Sequence, residues 1–361
     1  MNPLFRAVLR LFAAPRLDMR EDYQCVRRIQ RRLASLPGPR YRTAWETLSG
    51  NSADTGGSGD QVPVRVFPPK EKLHEDVLLF FHGGGWVTGD IESYTPACAT
   101  MADLTGCVVA SVDYRLAPED PFPAGLEDCY RLAHQLLEDP GRLGLEDADR
   151  IVLVGDSAGG NLAAAVSLLL RERGHRGAKR QILLYPVTHW DHDPETSPFA
   201  SVRRHGEDYR LTNTEVQDYM ELYVPDPDQR RHRLVSPLMA EDLSGQPATL
   251  LITAERDLLC DEGEAYGRAL QEAGNTVRLH RVDGALHGFI TLPRFSRSLR
   301  EAYEVINDFL REHPADGDAP AGDAPATGST DGDAPATGSA DASATADGPA
   351  AADPVGPEDP R

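Results

Sequence analysis

The chain has 361 residues with 57 acidic and 37 basic side chains, a formal net charge of −20. So acidic a surface cannot neutralise phosphates, which argues against nucleic acid as a partner, and no uncharged apolar run reaches the ~18 residues that a transmembrane helix needs. The charge is uneven: residues 314–361 hold ten acidic side chains and one basic, Arg361, a net −9, which leaves a moderate −11 on residues 1–313.

Residues 1–15 set Leu4, Phe5, Val8, Leu9, Leu11 and Phe12 at helical spacing, interrupted by Arg6 and Arg10. This predicts an amphipathic helix docked on its own domain rather than a secretory segment or stable membrane insertion. The Arg-rich helical region runs to Pro37-Gly38-Pro39. Residues 43–48 and Val62–Phe67 read as an antiparallel pair joined by the Gly, Ser and Asn-rich loop 49–60.

Beyond it, short Val, Ile and Leu-rich runs at Val77–Phe81, 107–112, 151–154, 182–185, 249–253 and 277–282 predict strands buried on both faces, as in a parallel sheet. Four helices alternate with them. Leu126, Cys129, Tyr130, Ala133, Leu136 and Leu137 mark the first, with Gly141 after its end. Leu162, Ala165, Val166 and Leu169 mark the second, closed by Gly174; Tyr266, Ala269 and Leu270 the third, ending at Gly274; Leu299, Tyr303, Ile306, Phe309 and Leu310 the last. The predicted fold is α/β, a mostly parallel central sheet with helices on both faces.

Two regions interrupt the alternation, 1–40 and 188–235, the latter with a helix-like stretch from Thr212 to Tyr223. Both are expected to pack as a helical cap over the carboxyl edge of a core formed by 41–187 and 236–313. Residues 314–361, with one large apolar side chain (Val355) and the octapeptide GDAPATGS at 322–329 and 332–339, read as a disordered acidic tail, because they bury too little to offset backbone ordering. Cys25, Cys98, Cys107, Cys129 and Cys260 form no CxxC pair, which fits a reducing cytoplasm.

Gly155-Asp156-Ser157-Ala158-Gly159 stands between a predicted strand and a predicted helix, the setting of a nucleophile elbow that lifts a serine hydroxyl above the sheet. The helix N-terminus behind it offers the Ala158 N–H and a favourable dipole to a developing oxyanion. Upstream, His82-Gly83-Gly84-Gly85-Trp86 follows the strand Val77–Phe81. Its glycines let backbone N–H groups converge on one point, and no Gly-Lys-Ser/Thr follows to suggest a nucleotide site. A serine nucleophile needs a base and the base an orienting acid. His287, after the turn Asp283-Gly284, and Asp257, after the strand 249–253, both fall at the sheet's carboxyl edge.

HGGGW, Asp113-Tyr114-Arg115-Leu116-Ala117-Pro118-Glu119, GDSAGGN at 155–161 and the C-terminal Asp and His together resemble the hormone-sensitive-lipase-like branch of the α/β-hydrolases, the bacterial carboxylesterases, over about residues 1–312. The resemblance implies a Ser157–His287–Asp257 triad, an oxyanion hole from the N–H groups of Gly83, Gly84 and Ala158 with Gly85 structural, and a cap over the site. Members usually read Gly-x-Asp-Pro-Leu-x-Asp-Glu around the acid, whereas this chain has Glu255-Arg256-Asp257-Leu258-Leu259-Cys260-Asp261-Glu262. The missing Gly and Pro make Glu255 and Asp261 back-up candidates for the acid.

His189, Asp191, His192, Asp193, His205 and Asp208 are metal-ligand types, read here as a solvated cap loop. Cys260, near the acid, is read as a small buried apolar group. Trp86, Phe199, Tyr209, Met220 and Tyr223 either line an acyl pocket or form cap core. The expectation is a serine carboxylesterase acting on small, soluble, short- to medium-chain esters with water, using no cofactor and no metal. An amidase or deacetylase on the same triad, and a non-catalytic ligand receptor on the same fold, are the alternatives, and a homodimer is left open.

Overall fold

The computed structural model describes residues 18–34, 41, 43–48, 62–207 and 210–312. The expected helix within 1–15, the Pro37-Gly38-Pro39 break, the loop 49–60, Asp208, Tyr209 and the tail 314–361 lie outside the described residues.

Continuous apolar runs become the strands of one eight-stranded sheet. In chain order the elements are α1 (Met19–Ala34), β1 (Ala44–Leu48), β2 (Val62–Phe67), β3 (Val77–Phe81), α2 (Ile91–Thr105), β4 (Val108–Val112), α3 (Ala124–Glu138), β5 (Ile151–Asp156), α4 (Ala158–Glu172), β6 (Arg180–Leu184), α5 (Ala200–His205), α6 (Asn213–Tyr223), β7 (Ala248–Arg256), α7 (Cys260–Glu272), β8 (Val277–Leu286) and α8 (Arg297–Glu312). The strand order is β1-β2-β4-β3-β5-β6-β7-β8, antiparallel at β1/β2 and β2/β4 and parallel from β4 onward.

Alternation along β3 divides the core into two layers. Val77, Leu79 and Phe81 face the side packed by α3, α4 and α7, while Leu78 and Phe80 face α2 and α8. All five are buried, which is why the run reads as apolar throughout.

Three local features depart from expectation. α3 stops at Glu138, and a 3₁₀ turn through Pro140 postpones the left-handed glycine from Gly141 to Gly144, at φ 71°. α2, absent from the predicted elements, is buried along much of its length and contains Pro96. Its usable signal is the capping box in which the Asp90 side chain accepts from Ser93 N. β8 does not end before Asp283-Gly284: Gly284 takes φ 69° and pairing resumes at Arg256↔Leu286 after a bulge.

The two regions expected to form a cap touch through α1 and α6, where Met19 N donates to Asp218 Oδ2 at 3.3 Å and Arg20 pairs with Asp218 at 3.2 Å. Asn161, one turn after Ser157, donates from Nδ2 to the carbonyls of Val187 (2.9 Å) and Val235 (2.8 Å). These are the residue before the expected insertion and its last residue.

Candidate active site

Ser157 makes the turn from β5 to α4 by itself, at φ 55° and ψ −119°. A non-glycine residue there stores on the order of 1–3 kcal/mol of strain. Its flanking glycines allow the close approach: a Cβ on Gly155 would lie 2.1 Å from Gly159 O, and one on Gly159 2.0 Å from Phe81 O. The Ser157 side chain caps no helix N–H, so its hydroxyl is available to a base.

The bulge brings His287 to that hydroxyl. Pairing of Arg256 with Leu286 sets the next residues of two parallel strands, Asp257 and His287, beside each other. His287 Nδ1 lies 2.6 Å from Asp257 Oδ2, and Nε2 lies 2.9 Å from Ser157 Oγ. Asp257 is 1% exposed, and its second oxygen accepts from Leu259 N at 3.1 Å, closing the turn without the usual Gly and Pro. The back-up acids are engaged elsewhere: Glu255 accepts from Gly284 N, and Asp261 from Ser201 N at 2.8 Å and Arg204 at 3.2 Å.

The glycine loop requires a correction. Gly83, expected to give its N–H to the oxyanion, donates it to Asp156 Oδ1 at 2.8 Å. One peptide N–H has one proton, so that group is spent. The N–H groups of Gly84 and Gly85 have no partner among the described residues, and both glycines line the cleft with Ser157. Gly85, expected to be structural only, thus presents a free N–H to the cleft beside that of Gly84, as Gly83 does not.

Asp156 also accepts from Tyr94 (3.1 Å) and Tyr185 (3.4 Å). Burial raises its pKa to about 6, against the opposing pull of the Gly83 N–H, the His287 charge and the two phenols. Tyr185 meets the edge of the His287 ring at 4.9 Å. His82 is stacked on Tyr114 and donates from Nδ1 to Gly83 O at 2.8 Å; burial pulls its pKa down to about 4, so it stays neutral.

Above Ser157 is a cavity of about 190 Å³ walled by Trp86, Val187, Leu211, Val216 and Tyr219, with Arg210 at its rim. Of the aromatics singled out in the sequence, Trp86 lines it, stacked on Tyr223 with ring centroids 4.4 Å apart. Met220 and Tyr223 are buried in the core, and Phe199 packs edge-on against His189. Val216 and Tyr219, one turn before Met220 and Tyr223 on α6, line the cavity instead, as does Arg210; none stood out in the sequence. A larger cavity of about 510 Å³, between α2 and residues 290–294, contains none of Ser157, Asp257 or His287.

The His/Asp-rich loop is tied up internally. His192 Nε2 meets Glu262 Oε2 at 2.8 Å with both side chains fully buried, and Glu262 also accepts from Thr188 N and His189 N. Among the described residues no three His, Cys, Asp or Glu side chains converge as a metal-ligand set. Cys260 is 4% exposed, and burial pushes its thiol up to about 12.

A family model described as the alpha/beta hydrolase fold matches residues 78–291. The chain belongs to the α/β-hydrolases, in their hormone-sensitive-lipase-like branch. This α/β-hydrolase is 37% identical over 240 residues to an arylesterase of Saccharolobus solfataricus, covering 66% of its own length and 76% of the relative's. It is 33% identical over 326 residues to the carboxylic ester hydrolase LipN of Mycobacterium tuberculosis, covering 87% and 83% of the two chains. Among solved structures, a hyperthermophilic esterase from the archaeon Pyrobaculum calidifontis superposes with a TM-score of 0.75 at 32% identity, over 86% of this α/β-hydrolase and 98% of that chain.

Proposed function

We propose that this α/β-hydrolase is a serine carboxylesterase that cleaves short- to medium-chain esters through an acyl-enzyme. The observation that carries the reading is the unbroken hydrogen-bonded path from Ser157 Oγ through His287 to Asp257. In this mechanism His287 Nε2 takes the Ser157 proton as Oγ attacks the ester carbonyl and returns it to the leaving alcohol. Water then repeats the cycle on the acyl-enzyme. Asp257 holds the tautomer with Nδ1–H and stabilises the imidazolium. The N–H groups of Gly84, Gly85 and Ala158 receive the oxyanion, each donor supplying on the order of 10²–10³ in rate.

The small cavity supports short acyl chains, and the relatives' names, an arylesterase and a carboxylic ester hydrolase, support the substrate class. A complete Ser-His-Asp set argues against the receptor alternative. The α1–α6 contacts support a cap built from 1–40 and 188–235 over a core of 41–187 and 236–313. The cysteines in the described residues are all free, which supports action in a reducing cytoplasm. Among the described residues no helix is long and apolar enough to cross a membrane.

Turnover of p-nitrophenyl butyrate tests the assignment. Ser157→Ala is expected to lower kcat by roughly 10⁴–10⁶ and to abolish fluorophosphonate labelling; retention of more than about a tenth of wild-type turnover overturns it.

A further inference from the structure

Among the described residues the cleft over Ser157 carries one guanidinium, that of Arg210, and it rests on the loop that holds the base. Nη1 donates to Gly288 O at 3.1 Å and Nη2 to Thr291 Oγ1 at 2.9 Å. The group lies across Gly288, where an added Cβ would be 3.4 Å from Cζ. No described carboxylate comes within ion-pairing distance of it, unlike Arg27 on Glu119 or Arg204 on Asp261.

With two of its five N–H groups engaged, Arg210 retains three donors. The acid that borders the cleft, Asp156, is 1% exposed and turned toward Gly83, Tyr94 and Tyr185. A neutral ester filling this cleft takes water from the guanidinium and returns nothing, whereas a carboxylate returns a charge-assisted pair.

We propose that Arg210 selects esters whose leaving alcohol carries a carboxylate or another compact anion. This rests on the esterase reading above. The side of the cleft follows from the chemistry: His287 Nε2 hands its proton to the departing oxygen, so the leaving alcohol lies on the His287 side, and Arg210 is seated on the residue that follows His287.

The test uses the full chain and two aryl acetates that differ in one group on the leaving phenol, 3-acetoxybenzoate and the neutral 3-acetoxybenzamide. The wild type is expected to favour the benzoate in kcat/KM by at least about fivefold, through KM, with the preference shrinking as NaCl is added. Arg210→Gln removes that preference and Arg210→Lys keeps part of it. A benzoate-to-benzamide ratio that is the same in the wild type and Arg210→Gln overturns the inference and leaves the esterase reading standing. No turnover of either ester, with no fluorophosphonate label on Ser157, overturns the esterase reading and this inference with it.

Discussion

The peptide N–H of Gly83 is bound by Asp156, whose Oδ1 lies 2.8 Å away, so the acid preceding Ser157 fastens the start of the glycine loop. Asp156→Ala leaves that N–H without an acceptor and is expected to lower kcat by about tenfold or more with less change in KM. Asp156→Asn keeps an acceptor and removes a carboxyl raised by burial to about 6. The folded protein holds this proton more tightly than the unfolded chain. Its stabilising effect is therefore complete below the ordinary carboxylate range and lost as pH rises through about 6. Thermal melts from about pH 4 to about pH 8 are expected to show the Asn variant gaining on the wild type as pH rises, by up to about 3 kcal/mol.

His82 shows the opposite sign. Its pKa is depressed to about 4 by burial, so the stability it contributes is present above the ordinary histidine value of about 6.5 and is lost as pH falls through about 4. His82→Gln is expected to flatten that acid limb while losing the Tyr114 stack, at about 1–3 kcal/mol near neutrality. Because Asp156 and His82 oppose each other between about pH 4 and pH 6, the readout is the difference in melting temperature between each variant and the wild type, not the wild-type curve alone.

Arg27 on α1 reaches both the loop after β3 and the loop after β4. It donates to Val87 O at 2.6 Å and Ala117 O at 2.7 Å and pairs with Glu119 at 2.9 Å. Val87 N and Thr88 N in turn donate to Gly84 O. Arg27→Ala should destabilise the fold by about 1–3 kcal/mol and lower kcat several-fold. Arg27→Lys should not restore it, since an ammonium cannot span all three acceptors. Urea midpoints and steady-state rates on one ester check both.

Arg180 and Asp76 form a buried pair with side chains 2% and 6% exposed, at 2.8 Å and 3.2 Å, with Asp149 O also on the guanidinium at 2.8 Å. Asp76→Ala is expected to cost about 3–5 kcal/mol in urea unfolding by stranding the guanidinium, and the double change Asp76→Leu with Arg180→Met to recover much of it.

The parallel half of the sheet is legible because strands buried on both faces spell unbroken apolar runs, and Ser157, Asp257 and His287 because each stands where a strand ends. α2 is not, since Pro96 and its hydroxyl residues blur the helical period and burial removes the polar face that periodicity needs. Three identical glycines cannot reveal which N–H is free; that depends on where the Asp156 carboxylate turns. Arg210 meets Gly288 across 78 residues of sequence, a contact that no local pattern encodes.

The two hydrogen bonds that Asn161 Nδ2 donates to the carbonyls of Val187 and Val235 bear on how this enzyme could diversify. Both ends of the stretch 188–235 converge on one amide, in the helix that follows Ser157. What runs between those carbonyls can change without moving its two ends, provided the contacts it makes beside Asp257 and His287, from Ser201 to Leu258 O and Asp261 and from Arg210 to Gly288 O, are kept. On those terms the stretch 188–235 is expected to be exchangeable, and transplanting its counterpart from a relative is expected to move leaving-group or acyl-chain preference.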